Sequence, residues 1–439
     1  MRAPALISAV SLFLIPGALA AQTVDTTATP ISLTEAIRLA QQNSVTSVQA
    51  RGSVRTSDAA VKQSYAAFLP TFSVSAGTNH QSGDRFDTQG NLVPFTGNPT
   101  NYSTGLSSSL QLFDGGRRFF DVKRTKADVD AAEAGETASK YQVALQVKQQ
   151  YYNILAARES QSAAQAQIDQ AQQQLRASSL RLRAGAATVS DSLRSVVALG
   201  NARLALLTAE NNLRVANATL SRLIASPRTV TATSSDTLDQ QVVIPDIAEL
   251  TPLVDRAPAI QQADAQLTSA HASLRSAKTS FLPTVNMNFN RSGSGLDPAF
   301  GIGDKRYAYN QSLSFSLNFP LFNNLSREVN VARAIVAEDV AEASLRDARL
   351  LARQTLVQSL GQMKTAQEQV AIQTNSVAAA IEDLRVQQRR YELGATTLLD
   401  LLTSQTQLDN ARTALIRARY DYRVAKAQLE ALIGRDLQE

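Results

Sequence analysis

The sequence predicts an α+β membrane protein made of two copies of one unit, each a strand pair followed by a very long helical hairpin. Three observations predict it. Apolar residues recur every seven positions over two long stretches, the register of the chain repeats after 209 residues, and two segments change period to two with uncharged polar partners.

The heptad signal is strongest from Leu356 to Leu429. One ladder runs Leu356, Met363, Val370, Val377, Leu384 and Tyr391, and a second runs Leu401, Leu408, Leu415, Tyr422 and Leu429. Two sustained stripes mean two helices, each burying one seam. Between them, Gly394 suits a left-handed helix end, and Thr396-Thr397 can cap the helix that follows. Shifting by 209 places Ile168, Leu175 and Leu182 under Val377, Leu384 and Tyr391. The same shift places Gly185 under Gly394 and Asp191 under Asp400, and it aligns Asn201-Ala202-Arg203 with Asn410-Ala411-Arg412. The hairpin is therefore read as an internal duplication.

Composition excludes much chemistry. There is no Cys, no Trp, and only His80 and His271, so thiol catalysis, disulfides and His/Cys zinc sites are not expected. Neither His has a catalytic partner at a recognisable spacing, and Ser292-Gly293-Ser294-Gly295 lies between strands instead of before a helix. No enzyme activity, cofactor or metal is expected. The net charge of +5 is spread along the chain without a Lys/Arg block, which fits solvated helix faces and not a nucleic-acid surface.

Taken in order, residues 1–20 carry Arg2, an apolar run from Ala5 to about Gly17, and Ala18-Leu19-Ala20, the pattern of a secretory signal cleaved after Ala20. The run is shorter than the ~20 residues of a spanning helix. The first repeat occupies 21–225. Ser32 opens its helix as N-cap with Glu35 at capping-box spacing, and helical patterning resumes, from Val45, through about Ala67, ending at Phe68-Leu69-Pro70-Thr71. The same words, Phe281-Leu282-Pro283-Thr284, recur 213 residues later.

After each, the period becomes two. Phe72, Val74 and Ala76 alternate with Ser73, Ser75 and Gly77; Leu106, Leu110 and Leu112 alternate with Ser107, Ser109 and Gln111. In the second copy Val285, Met287 and Phe289 alternate with asparagines, and Leu313, Phe315, Leu317 and Phe319 with Ser and Asn. These are strand pairs within 71–113 and 284–320. Alternation alone also fits a half-buried sheet in a soluble protein, but a small, uncharged polar face suits a wet barrel interior with an apolar face to lipid. Four strands cannot close a barrel, membrane barrels need about eight, and open edges in lipid are costly. Other copies of the chain must complete the sheet.

Proline-free, Ala- and Gln-rich helices are predicted from Arg117 to Ala184 and from Arg327 to Leu393, each roughly 100 Å long. Residues 226–258 form a polar linker with Val242-Val243-Ile244 as a short strand, and the second repeat occupies 259–439.

This ordered set resembles the TolC-type outer membrane efflux proteins over about Ser32 to Gly434. The most specific words are Tyr391-Glu392-Leu393-Gly394-Ala395-Thr396-Thr397-Leu398-Leu399-Asp400 and Gly185-Ala186-Ala187-Thr188-Val189-Ser190-Asp191. The resemblance implies a homotrimer, in which a twelve-stranded β-barrel in the outer membrane continues into a coiled-coil α-helical barrel across the periplasm, with an equatorial belt at 226–258. It implies the exit duct of a tripartite efflux or type I secretion system. The hairpin tips at Gly185, Ala186, Gly394 and Ala395 would dock a periplasmic adaptor fed by an inner-membrane transporter, besides turning the chain. It also implies a periplasmic gate at Asp191, Tyr391 and Asp400, with Asp191 alternatively a helix cap or part of a solvated face. A phenol donating to a carboxylate would be a modest, breakable link there, and a ring of Asp400 would attract cations. The sequence departs from the family pattern at Thr396, where an Arg can pair with the carboxylate, and at Thr403, where a second carboxylate can sit. A secreted coiled-coil scaffold or adhesin would explain the heptads but not the strand pairs.

Overall fold

The breaks in the chain fall where capping and left-handed residues stand. The computed structural model describes residues 28–94, 100–233, 246–296, 307–435 and 437. The signal at 1–20 and the strand expected at Val242–Ile244 lie outside the described residues. In order the chain forms β1 (Thr29–Ile31), α1 (Leu33–Asn43), α2 (Val45–Ala66), β2 (Thr71–His80), β3 (Asp84–Phe86), β4 (Leu92–Pro94), β5 (Thr100–Phe113), α3 (Arg117–Arg183) and α4 (Val189–Leu223). Then come β6 (Val230–Ala232), α5 (Ile247–Val254), α6 (Pro258–Lys278), a 3-10 turn at Thr279–Phe281, β7 (Thr284–Gly295), β8 (Tyr307–Asn318), α7 (Ser326–Glu392) and α8 (Leu398–Ile433).

The two long helices, α3 and α7, are each 67 residues, about 100 Å at 1.5 Å per residue. Leu356, Met363, Val370 and Leu384 on α7 are buried, as are Leu401, Leu408, Leu415, Tyr422 and Leu429 on α8, so the two heptad ladders form one seam. On the first hairpin Ile168, Leu199 and Leu220 are buried at the matching positions. Nearer the tips the helices lie in the order α4–α3–α8–α7, and nearer the strands in the order α2–α3–α6–α7. The result is a wall one helix thick, with large apolar side chains such as Leu193, Leu204, Val357 and Ile372 exposed on its outermost helices.

The strands make a four-stranded antiparallel sheet in the order β2–β5–β7–β8. Its two faces differ in character. Phe72, Val74, Leu313, Phe315 and Leu317 are exposed on one, whereas the other carries Ser73 bonded to Ser107 at 2.6 Å and Ser109 donating to Asn288 at 2.9 Å. The strict alternation expected through Leu112 stops there. A bulge places Phe113, not Leu112, opposite Val285, because an extra residue shifts every later side chain to the other face. The loop after β2 also folds into the small β3–β4 hairpin.

The first helix is interrupted. Ser44 ends α1 and caps α2, its hydroxyl accepting from Ser47. Ser32 caps α1 as expected, but Glu35 pairs with Arg38 instead of reaching back to the cap. At mid-height, β1 pairs in parallel with β6 across 200 residues of sequence. Tyr151 on α3 fastens that pair, donating to the Ile31 carbonyl at 3.1 Å and accepting from the Thr233 amide at 3.2 Å. On the neighbouring side α5 packs on α7 through Leu250 and Val254. A buried ion cluster joins α3 to α8, with Glu430 2.6 Å from Lys148 and 3.8 Å from Lys426.

Sheet and helices meet at two related joints. Gly115 and Gly116 adopt φ +70° and +84° before α3, and Asn324 and Leu325, 209 residues on, adopt φ +56° and +59° before α7. Asp114 at the first joint is buried and accepts from the Arg118 side chain at 2.8 Å. At the second, Asn323 replaces the aspartate. The buried Asn323 Oδ1 and Arg327 Nε have no partner, while other Arg327 nitrogens donate to Pro320 and Leu321 carbonyls.

Candidate gate and docking tips

Both hairpin tips are built the same way. Gly185 and Gly394 each take φ +73°, the left-handed conformation that glycine adopts without penalty. The amides of Ala186 and Ala395 return to the carbonyls of Arg181 and Arg390, both at 2.8 Å, closing the last helical turn. A Cβ on either glycine would meet nothing within 4 Å.

The next helices begin with reciprocal capping boxes. Thr188 and Asp191 cap α4, and Thr397 and Asp400 cap α8. Asp191 Oδ2 accepts from the Thr188 amide and hydroxyl at 3.1 and 2.8 Å. Asp400 Oδ2 accepts from the Thr397 hydroxyl and amide and from the Thr396 hydroxyl, at 2.6, 3.1 and 2.9 Å. These donors, the Thr397 hydroxyl foremost, hold the Asp400 carboxyl below its ordinary value. Thr396, the position at which the resemblance implies an arginine, thus supplies a neutral donor to the same carboxylate. Thr403 turns inward to the Leu399 carbonyl at 2.9 Å.

Tyr391 is half-buried against the Leu384–Leu398–Leu401 cluster. Within the chain its phenol makes no bond to Asp191 or Asp400, whose described partners are the caps above. The ring instead receives Arg181, whose guanidinium carbon lies 4.4 Å from its centroid. The same side chain donates to the Tyr391 carbonyl at 3.2 Å. Sequence reading missed Arg181. The only signal was a pair of basic residues, Arg181 and Arg183, in the last turn of α3, which equally suits a helix C-terminus.

Behind the tips, α3 floors a cleft between α4 and α8. Its upper part, of about 940 Å³, is lined by neutral groups such as Gln150, Asn153, Gln167 and Asn212, with Asp409 and Arg412. A tipward part of about 550 Å³ shares Asp409. Burial pushes the Asp409 carboxyl up, against the pull of Arg412 and a hydrogen bond from Gln167. Among the described residues no group of carboxylates and histidines could hold a metal ion. No described helix is long and apolar enough to cross a membrane.

Comparison with known proteins agrees with this geometry. A family model described as "Outer membrane efflux protein" matches residues 36–226 and 252–435. The chain is 27% identical over 335 residues to the pyoverdine export outer membrane protein OpmQ of Pseudomonas aeruginosa, covering 76% of this chain and 68% of that protein. Among solved structures, CusC superposes with a TM-score of 0.79 at 19% identity, covering 93% of this chain and 94% of that one. The outer membrane channel CmeC of Campylobacter jejuni superposes with a TM-score of 0.75 at 19% identity, covering 98% and 94%.

Proposed function

The chain belongs to the outer membrane efflux protein family, and from that premise we propose that three copies close a twelve-stranded barrel above a helical tunnel. The protein is an exit duct of the outer membrane that reaches into the periplasm. The trimer rests on the family resemblance and on one observation above all. The sheet has four strands with β2 and β8 each paired on one side only, an exposed apolar face, and an opposite face of Ser and Asn. In lipid, unpaired edges cost several kcal/mol per group, and neighbouring copies relieve that cost. The exposed apolar stripes on α4 and α7 support the same assembly.

In this reading the duct is passive. The tips at Gly185-Ala186 and Gly394-Ala395 dock a periplasmic adaptor, an inner-membrane pump supplies the energy, and links around Asp191, Tyr391 and Asp400 hold the entrance closed. Arg181 joins them as the group that ties Tyr391 to the first hairpin. The test is single-channel conductance of the purified protein in planar bilayers, for wild type and for Asp191→Ala combined with Tyr391→Ala. Low wild-type conductance that rises in the variant supports a gate at these residues. High conductance unchanged by the variant moves the gate elsewhere, and no conductance from either protein overturns the duct.

A further inference from the structure

The four strands carry one Arg and no Asp, Glu or Lys. That residue, Arg291 on β7, stands on the apolar face. The register puts Leu106 and Gln311 beside it, Val74 one strand further, and Phe289 and Leu313 in the row nearer the helices. In the next row away from the helices are Thr104, Gly293 and Tyr309, followed by Tyr102 and Tyr307.

The side chain is held and still unsatisfied. Its guanidinium carbon is 4.8 Å from the Tyr309 ring centroid, and Tyr309 in turn stacks with Tyr307 at 6.2 Å. The Tyr309 ring rests on Gly293, where an added Cβ would fall 2.6 Å from its edge. Arg291 Nε is shielded from solvent and has no hydrogen-bond partner. No described residue gives the guanidinium a carboxylate.

Its height is informative. From Thr284, beside the helices, to Arg291 the strand runs about 23 Å, or roughly 18 Å of height at the tilt of membrane strands. With exposed Phe319, Leu321 and Phe322 below, the apolar band approaches the ~25 Å of outer membrane barrels. Arg291 thus stands where the band gives way to tyrosines, on the side away from the periplasmic helices.

We propose that Arg291, braced by Tyr309, binds a phosphate of a lipid headgroup in the outer leaflet. The inference rests on the reading that the apolar face meets lipid. A guanidinium matches phosphate with several parallel donors, and its stacking on Tyr309 fixes the direction those donors take.

The test uses the full-length protein in detergent and native mass spectrometry with added bisphosphorylated lipid A. The expected result is about tenfold weaker retention by Arg291→Gln, the loss of one charge-assisted contact, with near wild-type retention by Arg291→Lys. Fully dephosphorylated lipid A should bind wild type no better than the phosphorylated lipid binds Arg291→Gln. Equal retention by wild type and Arg291→Gln overturns the proposal, as does displacement of lipid A by millimolar inorganic phosphate, which would mark an ion site only. Heat-resistant oligomer on gels reports that each variant is assembled. The chain has no Trp, so Phe289→Trp gives a single tryptophan, excited apart from the tyrosines, one row below. Quenching by brominated lipid with no effect of Arg291→Gln would sink the site alone, whereas absence of quenching would overturn the lipid-facing reading as well.

Discussion

Arg181 and Tyr391, 210 positions apart in sequence, join the two helical hairpins near their tips by a stacked guanidinium at 4.4 Å and a hydrogen bond to the Tyr391 carbonyl at 3.2 Å. The stack needs the ring but not the hydroxyl. Arg181→Ala is therefore expected to raise single-channel conductance severalfold, whereas Tyr391→Phe alone should leave it near wild type. A rise with Tyr391→Phe would assign the closure to the phenol instead. A partly exposed cation–π contact contributes about 0.5–1 kcal/mol, so three such links make a closure that a docking partner can open.

The Asp400 cap carries a pH dependence with a definite sign. Its folded carboxyl titrates below the ordinary 3.8 because the Thr397 and Thr396 donors favour the charged form. The stability it contributes is complete above the unfolded value and is lost as pH falls through the folded one. Hydrogen exchange in the first turn of α8 should therefore speed up, relative to the middle of α8, on acidification below about 3.8. Asp400→Asn should show the faster exchange at neutral pH and lose the acid step.

The two sheet–helix joints predict opposite responses to exchanged side chains. Asp114→Asn leaves the largely buried Arg118 without its carboxylate and should cost about 3 kcal/mol. Asn323→Asp replaces an unpaired amide by a carboxylate, as Asp114 supplies to Arg118, and should raise the unfolding temperature. Leu325→Gly removes a left-handed leucine at φ +59°, with an expected gain of about 1 kcal/mol. Thermal unfolding of the reconstituted protein measures all three.

Glu430 holds two ammonium groups, Lys148 and Lys426, in a buried cluster. Glu430→Gln removes the carboxylate that both ammonium groups share and should destabilise the fold. Lys148→Met leaves Lys426 beside Glu430 and should cost less. Denaturant unfolding that ranks them the other way would assign the cluster's worth to Lys148.

At the tip, Gly394→Phe has open space for the side chain but an unfavourable φ of +73°. The backbone cost is about 1–2 kcal/mol, too small to prevent assembly. Membrane insertion should be retained and adaptor binding in a pull-down reduced; unchanged binding would remove the tip from the docking surface.

Much of this fold was legible because its signals are local. Heptad stripes mark which side of each long helix is buried, and Gly185, Gly394, Thr188 and Thr397 mark where hairpins turn, since left-handed backbone and capping depend on residues within one turn. Period-two alternation located all four long strands, and their charge-free polar residues separated the two faces. The bulge at Leu112 escaped because one extra residue leaves composition unchanged. What tertiary structure alone decided is which distant groups meet. Thr29–Ile31 lies beside Val230–Ala232, Lys148 pairs with Glu430, and Arg181 covers Tyr391. Each partner shows an unremarkable local pattern, a short β-prone run or a charged helix residue. The choice among many such partners is set by how the long helices cross and slide against one another, which is a property of the packed wall and not of any window of sequence.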